Sequence, residues 1–200
     1  MTAKNRGENS EIRDVYPTPL NLVRAAFDFF AEYHGPYLSS VRNVLEPGAY
    51  SGAFLWGASL YCRNTLGPSV GVELAPPTKR LVPYRLIKKD FRRWKTDQKF
   101  DLIATNPPFT WANAFMRKSV SLLSDTGKCL FLMRIGVLAG VERFAMWRDE
   151  VQLKEVWVCV RRPGFKGIGK GTDASEYAFF LFDGTPRAPG EEVKVRWLWW

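Results

Sequence analysis

The sequence predicts an α/β fold, a seven-stranded, mostly parallel sheet with helices on both faces. Three observations lead there. Short apolar runs of strand length recur from residue 41 onward, the segments between them repeat their apolar residues at three and four, and no internal repeat or low-complexity tract interrupts the alternation. The 200 residues suit a single domain. It is expected over residues 14–200, after a polar arm (1–13) without periodicity that is expected to be disordered.

The first expected element is a helix. From Leu20 to Tyr33 the apolar residues Leu22, Val23, Ala26, Phe27, Phe30 and Ala31 fall on one face. The chain enters this helix through Pro17 and Pro19 and leaves it near Gly35 and Pro36. The runs VRNVLE, SVGVEL, YRLIKKD, FDLIATN, CLFLMR, EVWVCV and EYAFFLF then read as strands, with helical periodicity over 53–62, 111–123 and 137–150. RRPGFKGIGKGTDAS is too rich in glycine and basic residues for either and reads as a binding loop. DGTPRAPGEE turns the chain into a last apolar segment, VKVRWLWW, expected to form an edge strand. Trp197, Trp199 and Trp200 are expected to pack that strand; an exposed set would mark a contact with a partner or a second copy.

Charge and scarcity narrow the chemistry. Lys and Arg number 29 against 20 Asp and Glu, a formal charge of +9, which suits a polyanionic partner. His34 is the one histidine, so a multi-histidine metal site is excluded and a histidine triad would have to recruit that residue, which reads instead as a surface or capping group. Cys62, Cys129 and Cys159 lie apart in apolar runs, as reduced, core-packed thiols of a cytoplasmic protein do. No run reaches the roughly 20 apolar residues of a membrane span, and the polar start has no signal-peptide core, so neither membrane nor metal is expected.

In open parallel sheets, ligands sit beyond the carboxyl ends of the strands. The first strand ends in Glu46-Pro47-Gly48-Ala49-Tyr50-Ser51-Gly52, a small-residue turn that allows close backbone approach and presents amide groups, with Glu46 free to hold a cation. The second strand ends at Glu73, suited to ribose hydroxyls, and the third at Asp90; each alone reads equally as a cap or a solvated charge. The fourth ends in Asn106-Pro107-Pro108-Phe109. Two prolines remove two amide donors and leave carbonyl oxygens and the Asn side chain as acceptors beside an aromatic face, an arrangement that suits an amino group on a flat ring.

The order Asp14-Val15-Tyr16-Pro17-Thr18-Pro19, LEPGAYSGAFL, GVEL, KKDF, DLIATNPPF resembles the S-adenosylmethionine-dependent adenine-N6 DNA methyltransferases of phage-like and small bacterial type, over residues 14 to 182. The resemblance implies a class I methyltransferase-like (Rossmann-like) fold, S-adenosylmethionine as cofactor, DNA as partner, and a bacterial or phage-infected host cytoplasm. It implies that Tyr16, Thr18 and Pro19 border the methionine end of the cofactor and that Glu46, Gly48, Ala49 and Gly52 surround its amino acid moiety. Glu73 would take the ribose, Asp90 and Phe91 the adenine ring, and Asn106 to Phe109 the target base. Tyr50 departs from the pattern, standing where its first glycine usually sits and placing a side chain beside the cofactor.

The chemistry implied is direct. The exocyclic nitrogen shares its lone pair with the ring; hydrogen bonds to the Asn106 side-chain oxygen and the Pro107 carbonyl localise that pair for in-line attack on the sulfonium methyl, while Phe109 stacks on the base. In a duplex the base must first be flipped out, at a cost of a few kcal/mol. The basic loop, with Arg161, Arg162, Lys166 and Lys170 around Phe165, is the candidate to offset it by tracking phosphates and stacking on a base, against the plainer reading of a flexible solvated loop. Lys88, Lys89, Arg92, Arg93 and Lys95 extend the basic face. Gly164 to Lys170 nearly matches a phosphate-binding loop, but Gly171 replaces the Ser or Thr and a strand follows instead of a helix. Two alternatives stand: the same motif serves relatives acting on adenine in structured RNA or on glutamine in protein, and a catalytically silent nucleic-acid-binding module could keep the fold.

Overall fold

A computed structural model describes residues 17–62, 69–165 and 174–200. The arm, Tyr16 and both Lys166 and Lys170 lie outside the described residues.

The helix α1 (Leu20–Ser40) buries Leu22, Val23, Ala26, Phe27 and Phe30, as its periodicity predicts. It does not stop at Gly35 and Pro36. His34 leaves helical geometry at φ −136°, ψ 31°, and a second helical stretch runs on past it. Pro36 sits in the first turn of that stretch, where its missing N–H costs no hydrogen bond. Leu38, buried, and Tyr37, whose hydroxyl donates to the Asp101 carbonyl, hold the extension in place.

The strands are β1 (Val44–Pro47), β2 (Val70–Val72), β3 (Arg85–Ile87), β4 (Phe100–Thr105), β5 (Leu123–Arg134), β6 (Leu153–Cys159), β7 (Tyr177–Phe182) and β8 (Lys194–Leu198). They form one sheet of eight in the order β3-β2-β1-β4-β5-β7-β6-β8. The expected seven are all present, and the last apolar segment adds the eighth at the edge. Only β7 runs antiparallel to its neighbours; β8 pairs parallel with β6. Strands β1 and β7 are buried at every position, which is why they read as uninterrupted apolar runs.

Both faces are covered. Tyr177, Phe179 and Leu181 of β7 join α1 and α2 (Ala53–Ser59) in one core, while Ala178, Phe180 and Phe182 join α3 (Ala112–Ser121) and the segment after β5 in the other. Each such side chain, taken from water, contributes about 1.5–3 kcal/mol. The expected helix over 137–150 is instead three short pieces: a 3-10 turn at Ile135–Leu138, α4 (Val141–Ala145) and a π turn at Met146–Glu150. Gly140, at φ 106°, separates the first two, and only Val137, Met146 and Trp147 of them reach the core.

Asp101 ties the opposite end of the sheet together. Its carboxylate accepts from the amides of Arg42 and Asn43 and from Ser124 Oγ, and its own amide donates to Asn43 Oδ1. The three cysteines form no disulfide and are buried, and burial lifts the Cys62 and Cys159 thiols to about 12. No helix among the described residues is long and apolar enough to cross a membrane, and none of their His, Cys, Asp and Glu side chains form a group that could hold a metal ion.

Candidate active site

The strand order reverses direction between β1 and β4, the place where a crevice opens at the carboxyl ends of a parallel sheet. A small hollow, partly open to solvent, lies there, lined by Pro17, Thr18, Glu46, Gly48 to Ser51, Ala53 and Asn106. The two strand ends are fastened to each other, since Thr105 Oγ1, fully buried, donates to the Pro47 carbonyl.

The turn after β1 is built around carboxylates. Glu46 Oε2 accepts from the amides of Phe54 (3.1 Å) and Leu55 (3.0 Å), capping α2 from within the sheet. Burial raises its carboxyl to about 8, against the pull of those two amides and with a further push from Glu73. Its Oε1 accepts no hydrogen bond among the described residues. Tyr50 holds φ 41°, the left-handed conformation that glycine adopts freely, so the backbone of the turn keeps the shape the resemblance requires although the residue differs. Its amide donates to Glu73 Oε2 at 2.9 Å. Gly52, at φ 84°, lies against Tyr84, and a Cβ there would come within 2.7 Å of that ring.

Six amides of this turn and of the start of α2 are already engaged. Gly48 and Ala49 donate to the Val72 carbonyl, Tyr50 to Glu73, Gly52 to the Ala49 carbonyl, and Phe54 and Leu55 to Glu46. The amides of Ser51 and Ala53, both lining the hollow, have no acceptor among the described residues, and beside them stand the side chains of Glu46 and Thr18. Thr18 Oγ1 accepts from Asn106 Nδ2 at 3.2 Å and keeps its own hydroxyl proton to donate. A buried carboxyl group and a hydroxyl at one small hollow fit a zwitterionic amino acid moiety, the ammonium to Glu46, which yields its proton as the cation arrives, and the anion to Thr18. Pro19 sits beside them as the residue that leads into α1.

Glu73 is already employed: besides Tyr50, the Ala75 amide donates to its Oε1 at 3.0 Å. Asp90 is engaged more fully. Arg92 grips it through Nε and a terminal nitrogen, the latter 2.7 Å from Oδ2, and these bonds hold the carboxyl below its usual range. The same guanidinium lies 3.6 Å from the centre of the Trp111 ring, so Arg92 is withdrawn from the expected basic face. Phe91 is buried against Phe115, 4.9 Å between ring centres.

Beyond β4, Asn106 is half-buried with its amide nitrogen anchored on Thr18, while its Oδ1 is buried and has no hydrogen-bond partner among the described residues. A buried acceptor left unpaired costs about 1–3 kcal/mol. Pro107 is buried, and Pro108 opens a 3-10 turn at Phe109–Trp111. The Phe109 ring is stacked, with the Arg134 guanidinium 4.2 Å over it and the Tyr177 ring 6.0 Å away. Arg134 Nε donates to Tyr177 Oη at 3.2 Å. The sequence reading missed Arg134, although it ends β5 at the same carboxyl end of the sheet as Glu46 and Asn106.

The basic loop divides. Arg161 and Arg162 are exposed, Arg162 paired with Glu176. Phe165 is corrected: it is 6% exposed and packs on Tyr177 at 5.0 Å, a core contact rather than a free stacking platform. Trp197 and Trp199 are exposed on β8, while Trp200 Nε1 donates to the Arg161 carbonyl.

No known protein family's sequence profile matches the chain. Over 99 residues, 48% of its length, it is 37% identical to the type II methyltransferase M.CvrRI of Paramecium bursaria Chlorella virus XZ-6E; the match covers 24% of that protein, so the chain spans about a quarter of that relative. Its fold is similar to a solved structure from Listeria monocytogenes described as a class I S-adenosylmethionine-dependent methyltransferase, with a TM-score of 0.66 at 11% identity, covering 96% of this chain and 68% of that one. The chain has the class I methyltransferase fold. The M protein of the type I restriction enzyme EcoKI shares it at a TM-score of 0.63 and 18% identity, over 94% of this chain and 49% of that one. The resemblance seen in the sequence to S-adenosylmethionine-dependent DNA methyltransferases is thus borne out. In a class I methyltransferase fold the crevice between β1 and β4 is where the hollow beside Glu46, Thr18 and Asn106 lies.

Proposed function

We propose that this chain transfers the methyl group of S-adenosylmethionine to the exocyclic amino group of adenine in DNA. The observation that carries the reading is the unpaired, buried Oδ1 of Asn106, an acceptor held in place by its own amide and set beside a hollow with a carboxyl group and a hydroxyl. The bound cofactor supplies an electrophilic methyl on a sulfonium centre. The protein's part is positional. Glu46 and Thr18 hold the amino acid moiety, and Glu73 reaches the ribose with the lone pairs that Tyr50 and Ala75 leave it. Phe91 lies on the adenine side.

Asn106 Oδ1 and the Pro107 carbonyl accept the two amino protons of the target and so concentrate the nitrogen's lone pair outward. The positive charge that grows on nitrogen meets two oxygens already oriented, with no reorganisation at the moment of transfer. Arg161 and Arg162, with the +9 formal charge, draw in the phosphate backbone.

Label from methyl-labelled cofactor, offered to DNA, RNA and protein side by side, tests this. N6-methyladenine in DNA is expected, falling by about 10²-fold or more in Asn106→Ala, the scale of losing one oriented transition-state partner. Label in RNA or on glutamine instead would move the substrate, and label retained by Asn106→Ala would remove Asn106 from the chemistry. Calorimetry without detectable cofactor binding at millimolar concentration would favour the silent module.

A further inference from the structure

Resting on the methyl-transfer reading, we infer that the segment Leu138 to Phe144 is an apolar wedge that enters the base stack of a DNA duplex beside the flipped adenine. The segment projects. Val141 is 90% exposed, Phe144 59% and Leu138 37%, three large apolar side chains within seven residues at one protrusion. Gly140 turns the chain at φ 106°, and a Cβ there would meet nothing within 4 Å. The tip is apolar and open while its base is braced. Trp147, buried, donates from Nε1 to the Val137 carbonyl, and Arg143 donates to the Gly136 carbonyl.

Its place joins it to the candidate active site. Strands β4 and β5 are paired up to Thr105 and Phe131, so Asn106 to Phe109 and the end of β5 emerge side by side. Arg134, the last residue of β5, lies over Phe109, and the 3-10 turn that begins the protrusion starts at the next residue. From Arg134 to Glu150 three arginines are matched by three acids, Glu142, Asp149 and Glu150. Arg148 pairs with Asp149 and lies 5.1 Å from the centre of the Phe144 ring.

The energetics require such an element. Flipping a paired adenine forfeits its stacking and pairing, a few kcal/mol. An apolar side chain slid between base steps fills the gap the base leaves and holds the stack apart. The buried Phe165 cannot serve in that role as it stands. The protrusion after β5 can, because its apolar surface is already outside the core.

The test compares native and heat-denatured forms of one unmethylated plasmid DNA with wild-type protein and the double variant Val141→Ser/Phe144→Ser. Both side chains lie outside the core, and activity on the denatured strand reports that the fold is intact. The variant is expected to lose at least tenfold in methyl transfer to native duplex while staying within about twofold of wild type on denatured strand. Equal loss on both forms, or no loss on either, overturns the wedge. Wild-type transfer to denatured strand alone also overturns it, since no duplex is then opened. Absence of wild-type transfer to either form sinks the methyl-transfer reading itself, and the wedge with it.

Discussion

Asn106 is oriented by Thr18: the amide nitrogen donates to Thr18 Oγ1 at 3.2 Å and leaves the amide oxygen buried and unbonded. The two residues are 88 positions apart, one just ahead of α1 and the other just past β4, and the bond fixes which end of the amide is left for a ligand.

Thr18→Val is therefore expected to slow methyl transfer about tenfold, the equivalent of one neutral hydrogen bond near 1.4 kcal/mol. A double-mutant cycle with Asn106→Ala measures it. If Thr18 acts on the rate by orienting Asn106, its substitution costs little once Asn106 is gone.

Glu46 makes stability depend on pH in a specific direction. Burial raises its carboxyl from 4.5 to about 8, so the folded state holds a proton that the unfolded state releases. The contribution is fully present below pH 4.5 and is lost as pH rises through about 8. Thermal melts from pH 5 to 9 should show wild type losing stability relative to Glu46→Gln, which keeps an oxygen for Phe54 and Leu55 but has no proton to lose.

Glu155 shows the opposite sign. Burial would raise its carboxyl, but the His34 ring, 3.2 Å from Oε1, and hydrogen bonds from Trp157 and Arg196 outweigh that and hold it at about 2. Its contribution is present above pH 4.5 and is lost as pH falls through about 2. Glu155→Gln is expected to destabilise the protein by about 2 kcal/mol at pH 7, and by progressively less on acidification, as read by urea unfolding at pH 7 and pH 3.

Tyr50→Gly removes a side chain from a left-handed residue and is expected to stabilise the fold by about 1 kcal/mol. Calorimetry with the cofactor, run on the same variant, shows whether the tyrosine ring at the rim of the hollow weakens binding. Tighter binding by Tyr50→Gly is the expected outcome.

The sheet was legible because its inner strands are apolar at nearly every position. A run such as FDLIAT or YAFFLF needs no partner in view to be read as a buried strand. The segment 137–150 is helical in separate pieces because Gly140, at φ 106°, breaks it, and Val141 and Phe144 face outward. Pro36 signals the end of a helix in any sequence, and only the distant anchor of Tyr37 on Asp101 shows that a second helical stretch follows. The end-of-strand rule singled out Glu46, Glu73, Asp90 and Asn106, of which Glu46 and Asn106 line the hollow. The rule does not say what else competes for a group. Arg92 two residues from Asp90, and Tyr177 twelve residues from Phe165, changed the expected roles of their neighbours through contacts that spacing does not encode.

The bolt between Thr105 and the Pro47 carbonyl holds the residues that follow β1 and β4 at a separation dictated by the sheet, so substitutions in the surrounding loops leave that separation unchanged.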